Sequence, residues 1–171
     1  MADLYYGEFD TPIGTLLVVT DDNKVVRIDY GTFADHEEKI TKWLKQHYTH
    51  EEIVASPEKI SHVQKQLDEY FSKERTTFEL KFAFHGTPFQ RKVWEALLQE
   101  LPYGKAKSYK EIAIAIGNPK AVRAVGGAVN KNPFSILVPC HRVIGANGKL
   151  VGYNGGLDKK EYLLKHEEIL P

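Results

Sequence analysis

The sequence predicts two units in one chain of 171 residues. Residues 1–84 read as an α/β unit, a three-stranded antiparallel sheet with helices. Residues 85–171 read as a mainly α unit containing a helix-turn-helix. Three observations predict this. The first thirty residues alternate in β fashion between turn signals. Two stretches of helical periodicity follow. Past His85-Gly86 the pattern changes to short helices opened by capping boxes.

Leu4 to Phe9 is strand-like, and Thr11-Pro12-Ile13-Gly14 punctuates it. Thr15 to Thr20 is β-branched and apolar. Asp21-Asp22-Asn23 marks a turn before Lys24 to Tyr30, where Val26, Ile28 and Tyr30 share a face. A helix is expected from His36 to Tyr48, with Ile40, Trp43, Leu44 and His47 at helical spacing. A second is expected from about Pro57 through Ile60, Val63, Leu67, Tyr70 and Phe71. Phe78, Leu80, Phe82 and Phe84 alternate, as in an extended segment. Trp43 and Trp94 lie on apolar helix faces and read as core.

In the second half, Thr87-Pro88-Phe89-Gln90 combines an N-cap, a proline at the first helical position and a glutamine to close a capping box. That helix ends at Leu101-Pro102. Ser108-Tyr109-Lys110-Glu111 opens another, stopped by Gly117. Asn118-Pro119 is expected to cap the next, Lys120 to about Lys131. Two short helices joined by a Gly-Asn-Pro turn form a helix-turn-helix. On the second, Val122, Val125 and Val129 face inward. Ala121, Ala124, Gly127 and Ala128 make a nearly bare face, with Arg123 its one long side chain. A bare face admits close approach, either by DNA or by another helix. Leu157 to Glu167 reads as a final helix, with Lys159-Lys160 on a solvated face.

Composition is that of a globular protein, 42% hydrophobic and 27% charged. Net charge is zero, but the average hides an asymmetry. Residues 1–84 carry 10 Lys+Arg against 16 Asp+Glu, and residues 85–171 carry 13 against 7. Lys105, Lys107, Lys110, Lys120, Arg123, Lys131 and Arg142 face only one acid in their stretch, Glu111. Such a half binds a polyanion or is a solvated basic face, and charge alone favours the second. No apolar run approaches the ~18 residues of a membrane span, and the start does not read as a signal peptide. The expected location is cytoplasmic. No heptad run offers a dimer interface, so a monomer is expected.

Cys140 is the only cysteine. It excludes an internal disulfide and a cysteine-based zinc site, the histidines show no metal spacing, and no cofactor fingerprint is present. Neither metal nor cofactor is expected. Cys140 sits in Val-Pro-Cys-His-Arg-Val. A lone buried cysteine is often inert packing. Here Pro139 suits a helix start that would place the thiol in a first turn, beside a histidine, where its pKa would fall. The residues themselves leave inert and reactive readings open.

Pro139-Cys140-His141-Arg142, preceded by Arg123-Ala-Val-Gly-Gly-Ala128 and Asn132-Pro133 and followed by Gly152-Tyr153-Asn154-Gly155-Gly156-Leu157, resembles the O6-alkylguanine-DNA alkyltransferase family. The resemblance is close from Thr87 to about Glu167. The first half is similar to the family's ribonuclease-H-like domain. The resemblance implies direct-reversal DNA repair: one irreversible transfer of an alkyl group from O6-alkylguanine, and from O4-alkylthymine, to Cys140 after base flipping. It implies a relay of His141, a water and Glu167. Asn132 would be the hinge after the recognition helix and would bond near the cysteine. Arg123 would fill the space of the flipped nucleotide. Tyr109 would crowd the adjacent phosphate and offer its hydroxyl to the guanine. Ala121, Ala124, Gly127 and Ala128 would meet the minor groove of double-stranded DNA. Val143, Tyr153, Asn154 and Gly155 would form the pocket, and the small Gly155 implies room for benzyl-type adducts.

The leading rival is a non-catalytic binder of alkylated DNA on the same scaffold, against which Cys140 itself stands. A cysteine hydrolase is disfavoured, because sequence neighbours such as Cys140 and His141 make a poor nucleophile–base pair.

Overall fold

The computed structural model describes residues 4–21, 24–48 and 52–171. The chain divides into two compact units, Met1–His85 and Gly86–Pro171.

The first unit is built on β1 (Leu4–Thr11), β2 (Gly14–Thr20) and β3 (Val25–Tyr30), an antiparallel meander in the expected order. A fourth strand, β4 (Ile53–Ala55), was not foreseen. It adds in parallel beside β1, pairing Leu4 with Ile53 and Tyr6 with Ala55, so the sheet is mixed with order β3-β2-β1-β4. Three residues carry no readable periodicity, and the pairing comes from β1. Asp22 and Asn23 of the expected turn lie outside the described residues. β3 does not expose alternate residues: Val25 through Asp29 are all buried, so both faces are covered. Helix α1 (Phe33–His47) begins earlier than periodicity suggested, because Thr32 and Asp35 form a reciprocal capping box. Its Ile40 and Leu44 join Leu4, Leu17, Val19 and Val26 in the core. Helix α2 (Ser61–Phe71) starts four residues after Pro57; turns occupy the interval. The 78–84 segment meets β3 through an isolated parallel bridge between Phe82 and Val25. The Val25 N–H donates to the Lys81 carbonyl, and that of Ala83 to the Val25 carbonyl.

The second unit holds α3 (Pro88–Glu100), α4 (Tyr109–Ala115), α5 (Val122–Asn130) and α6 (Leu157–His166). A two-residue parallel ladder joins β5 (Lys107–Ser108) to β6 (Val143–Ile144). The capping boxes of Thr87 with Gln90 and Ser108 with Glu111 both form. Gly117 ends α4 at φ +79, and the N–H of Asn118 reaches back to the Ala113 carbonyl, closing the turn. Asn118-Pro119 does not cap α5. It makes a separate turn, the N-cap is Ala121, and no side chain caps that end. Trp94 is buried in this unit, its indole N–H donating to the Ala128 carbonyl at 2.8 Å.

Candidate active site

Cys140 lies not in an α-helical first turn but in a single 3-10 turn, Cys140–Arg142, with Pro139 as its N-cap. A turn-rich segment from Asn132 to Pro139 leads into it. Asn132 holds that segment. Its Nδ2 donates to the Val138 carbonyl at 2.9 Å, and its Oδ1 accepts from the Phe134 N–H at 3.0 Å. Asn132 and the backbone N–H groups of Cys140 and His141 are the donors that favour charge on the Cys140 sulfur. One buried amide thus ties the residues just after α5 to Val138, two residues before Cys140.

The thiol is 2% exposed. Burial pushes its pKa up to about 11, although the Asn132 bond and the Lys160 charge pull the other way. The expected lowering by basic neighbours is therefore reversed in the resting protein. Low dielectric disfavours the thiolate more than nearby donors favour it.

His141 is fully buried. Its Nε2 lies 2.7 Å from Oε2 of Glu167, which closes α6 as its C-cap. Burial raises the cost of charge on Glu167, but the hydrogen bonds from His141 and Arg142 and the Arg142 charge outweigh it and hold the carboxyl well below its usual range. An ionised carboxylate only accepts, so Nε2 carries the proton and Nδ1 is the lone-pair nitrogen of the neutral ring. Nδ1 is buried and finds no protein partner among the described residues. Burial lowers the His141 pKa, aided by the charges of Arg142 and Lys160.

Arg142 was counted with the basic face, but it is buried. Its Nε and Nη2 meet the two Glu167 oxygens at 2.6 and 3.0 Å, and Nη1 donates to the Leu101 carbonyl at 2.6 Å. Lys160 was expected on a solvated helix face and is fully buried instead. Its ammonium donates to the carbonyls of Val143, Val151 and Gly152. Burial lowers its pKa to about 8 despite the attraction of Cys140. Val143 therefore presents a carbonyl already taken by Lys160. Tyr109, first residue of α4, donates its hydroxyl to the Val151 carbonyl at 2.9 Å rather than into open space. Burial raises its pKa, and Cys140 adds to the shift. Tyr153, Asn154 and Gly155 lie in the turn before α6, Asn154 exposed and the other two partly so.

On α5, Arg123, Ala124 and Gly127 are exposed and Ala121 is partly so. A Cβ built on Gly127 would meet nothing within 4 Å, so this face is open. Ala128 does not belong to it: it is 3% exposed and turned inward under Trp94. Val125 and Val129 are buried as expected, Val122 only partly. Lys105, Lys110, Lys120, Arg123 and Lys131 are the exposed cations of the basic stretch, while Lys107 pairs with Glu100 at 3.1 Å.

Residues 4–84 match the 6-O-methylguanine DNA methyltransferase family in its ribonuclease-like domain, and residues 88–169 match it in its DNA binding domain. The chain belongs to the 6-O-methylguanine DNA methyltransferase family. Among its relatives, the methylated-DNA–protein-cysteine methyltransferase of Methanosarcina acetivorans is 47% identical over 96% of this chain and 98% of its own length. The constitutive enzyme of Bacillus subtilis is 42% identical over 96% of each chain. Among solved structures, Mycobacterium tuberculosis OGT in complex with DNA superposes with a TM-score of 0.81 at 41% identity, covering 96% of this chain and 92% of that one.

Two buried cations of this methyltransferase, Arg142 and Lys160, were missed by sequence reasoning. No local signal marks either. Glu167, the partner of Arg142, is distant in sequence, and the three acceptors of Lys160 are backbone atoms. No group of three or more potential metal-binding side chains occurs among the described residues. No helix among them is long and apolar enough to cross a membrane.

Proposed function

We propose that this methyltransferase repairs O6-alkylguanine, and O4-alkylthymine, in double-stranded DNA by moving the alkyl group to Sγ of Cys140. One observation carries the reading. The only cysteine of the chain is buried one residue from a histidine whose Nε2 is committed to Glu167 and whose Nδ1 has no partner among the described residues.

A thiol with a pKa near 11 is almost wholly protonated at neutral pH, and ionising it costs about 5 kcal/mol. Burial thus keeps a single-use nucleophile inert until a lesion arrives. The proton leaves Sγ for Nδ1 of His141, through a bridging water, and the resulting imidazolium is stabilised by Glu167. The thiolate attacks the alkyl carbon in line. The S–C bond forms as the C–O6 bond breaks, and the electron pair departs with the guanine oxygen. The guanine finishes by taking a ring proton, so the thiol proton has passed to the base. The thioether product is stable and the chain has no second thiol to receive the group. Each molecule reacts once.

An alkyl group on guanine O6 is out of reach inside a duplex, so the nucleotide must be flipped out at a cost of a few kcal/mol. The open α5 face, Ala121, Ala124 and Gly127, fits against a minor groove, and exposed Arg123 fills the vacated stack. Tyr109 swings its hydroxyl from the Val151 carbonyl to the base, where a donor stabilises the leaving guanine. Val143, Tyr153, Asn154 and Gly155 border the flipped base. Nothing in the reading needs a second subunit, and the protein acts as a monomer in the compartment that holds DNA, the cytoplasm in a cell without a nucleus.

The test is intact-protein mass spectrometry after incubation with a duplex carrying O6-methylguanine. A gain of one CH2 unit, mapped to Cys140 and absent in Cys140→Ser, supports transfer. Tight lesion binding with no mass change would instead make the protein a lesion binder.

A further inference from the structure

The step from Cys140 to His141 and Glu167 makes no use of Arg142, yet Arg142 is bound more completely than any of them. Its guanidinium takes both oxygens of Glu167, and its remaining nitrogen is anchored on the Leu101 carbonyl. The Tyr103 ring lies 5.8 Å from its guanidinium carbon. The Gly104 N–H points at the same carboxylate at 3.4 Å. Glu167 therefore holds two side chains, His141 and Arg142, and Arg142 takes it bidentately.

We propose that Arg142 is a positioning residue for the transfer: by holding both oxygens of Glu167 it fixes the carboxylate that orients His141, and by balancing that charge it leaves the imidazole neutral, with Nδ1 as acceptor for the thiol proton. The inference rests on the reading of Cys140 as the alkyl acceptor.

The charge argument is simple. A buried carboxylate with no other cation draws a proton onto the nearest imidazole, and a histidine already protonated at rest cannot take one from the thiol. With a guanidinium already bound, the carboxylate needs only a hydrogen bond from Nε2–H. The groups facing the imidazole agree. Arg142 and Lys160 both lower the His141 pKa, opposing Glu167, and burial lowers it further. The other ionisable group at hand is the Cys140 thiol, which is neutral at rest. Geometry matters as well as charge. A planar fork on both oxygens fixes the carboxylate plane, which a single-point cation does not.

The test uses the full chain as Arg142→Lys, Arg142→Met and Glu167→Gln, with the double variant Arg142→Lys, Glu167→Gln. Three quantities are read: the rate of methyl transfer from O6-methylguanine duplex between pH 6 and 9, the 15N shifts of His141, and affinity for undamaged duplex. Arg142→Met is expected to raise the His141 pKa and move the acidic limb of the rate profile upward. Its transfer rate near neutrality should fall by roughly ten- to a hundredfold, the order of a misplaced general base. Affinity for undamaged duplex should stay within about twofold. Arg142→Lys keeps a charge but loses the fork, so the rate falls while the 15N shifts stay close to wild type. In Glu167→Gln the added Arg142→Lys change should bring no further loss of rate, because its effect runs through the carboxylate. If His141 titrates unchanged in Arg142→Met, or if the two losses simply multiply, Arg142 is structural only and the proposal fails. Should Arg142→Met not fold, the Arg142→Lys profile and the double variant decide. Methylation of Cys140 in the wild type tests the acceptor reading by itself. The nitrogen shifts test this one whatever that outcome.

Discussion

Among the described residues, each unit of the chain buries an arginine–carboxylate fork. In the first, Arg27 on β3 meets Asp29 two residues away, Nε and Nη2 each 2.7 Å from a carboxylate oxygen. Trp43 covers the guanidinium at 5.0 Å. In the second, Arg142 meets Glu167 in the same bidentate manner. The forks differ in what else the carboxylate holds. Exposed Lys39 reaches Asp29 at 3.9 Å, so the partners shown for that pair lie on β3 and α1. Glu167 also holds His141, and the chain of bonds stops at a buried nitrogen with no partner among the described residues. A fork whose contacts close on themselves is architecture. One that leads to a lone pair beside a thiol is machinery. Buried charge by itself does not distinguish them.

Removing the carboxylate charge from each fork exposes that difference. Glu167→Gln strands the Arg142 guanidinium and is expected to cost roughly 3–5 kcal/mol of stability. It also weakens the hold on His141, so transfer should fall by roughly a hundredfold or more per folded molecule. Asp29→Asn strands Arg27 at a comparable cost in stability. Its transfer rate per folded molecule should stay within about twofold of wild type. Chemical denaturation together with single-turnover transfer measures both. Equal losses of transfer in the two variants would erase the distinction.

The pH dependence sharpens the point. Glu167 titrates below its ordinary value in the folded chain, so its contribution is present above the unfolded pKa and lost as pH falls. His141 is also depressed, and the unfolded chain takes up that proton first. Stability therefore declines as pH drops below about 6.5, with His141 contributing up to about 1.4 kcal/mol per pH unit. Denaturant midpoints measured from pH 7 to 5 should fall, and fall less in His141→Gln. An identical slope in that variant would mean that the histidine does not rest neutral.

Much of both units was readable because the deciding forces are local. The capping boxes at Thr87 and Ser108 need only residues three apart, and both formed. Cys140 and His141 were found by motif, and Asn132 lay close behind. What escaped is set by partners that the local pattern does not name. β4 exists because β1 offers an edge. Ala128 was placed on the bare face, since periodicity does not show which side Trp94 covers. Lys160 looked solvated because lysines usually are, and three converging carbonyls overrule that. The thiol pKa was read in the wrong direction because neighbours are visible in a sequence and burial is not.

Two glycines carry the contrast between closed and open surfaces to its smallest scale. At Gly7 on β1, an added Cβ would collide with the fully buried side chain of Ile60. Gly7→Ala should cost roughly 1–3 kcal/mol through overpacking and leave DNA affinity unchanged. At Gly127 on α5, an added Cβ meets only solvent. Gly127→Ala should therefore stabilise the helix by about 0.5–1 kcal/mol, since glycine is the poorer helix former. The same methyl would stand between α5 and a groove wall, so affinity for duplex should fall severalfold. Gly126→Ala is the control. Its Cβ would rest in ordinary contact with the Tyr109 ring, 3.8 Å away, so it shares the helix gain while keeping off the open face. Gain of stability in both variants, with loss of DNA affinity confined to Gly127→Ala, would mark that face as the one built for close approach. Equal affinities in the two would move the DNA contact elsewhere on the unit.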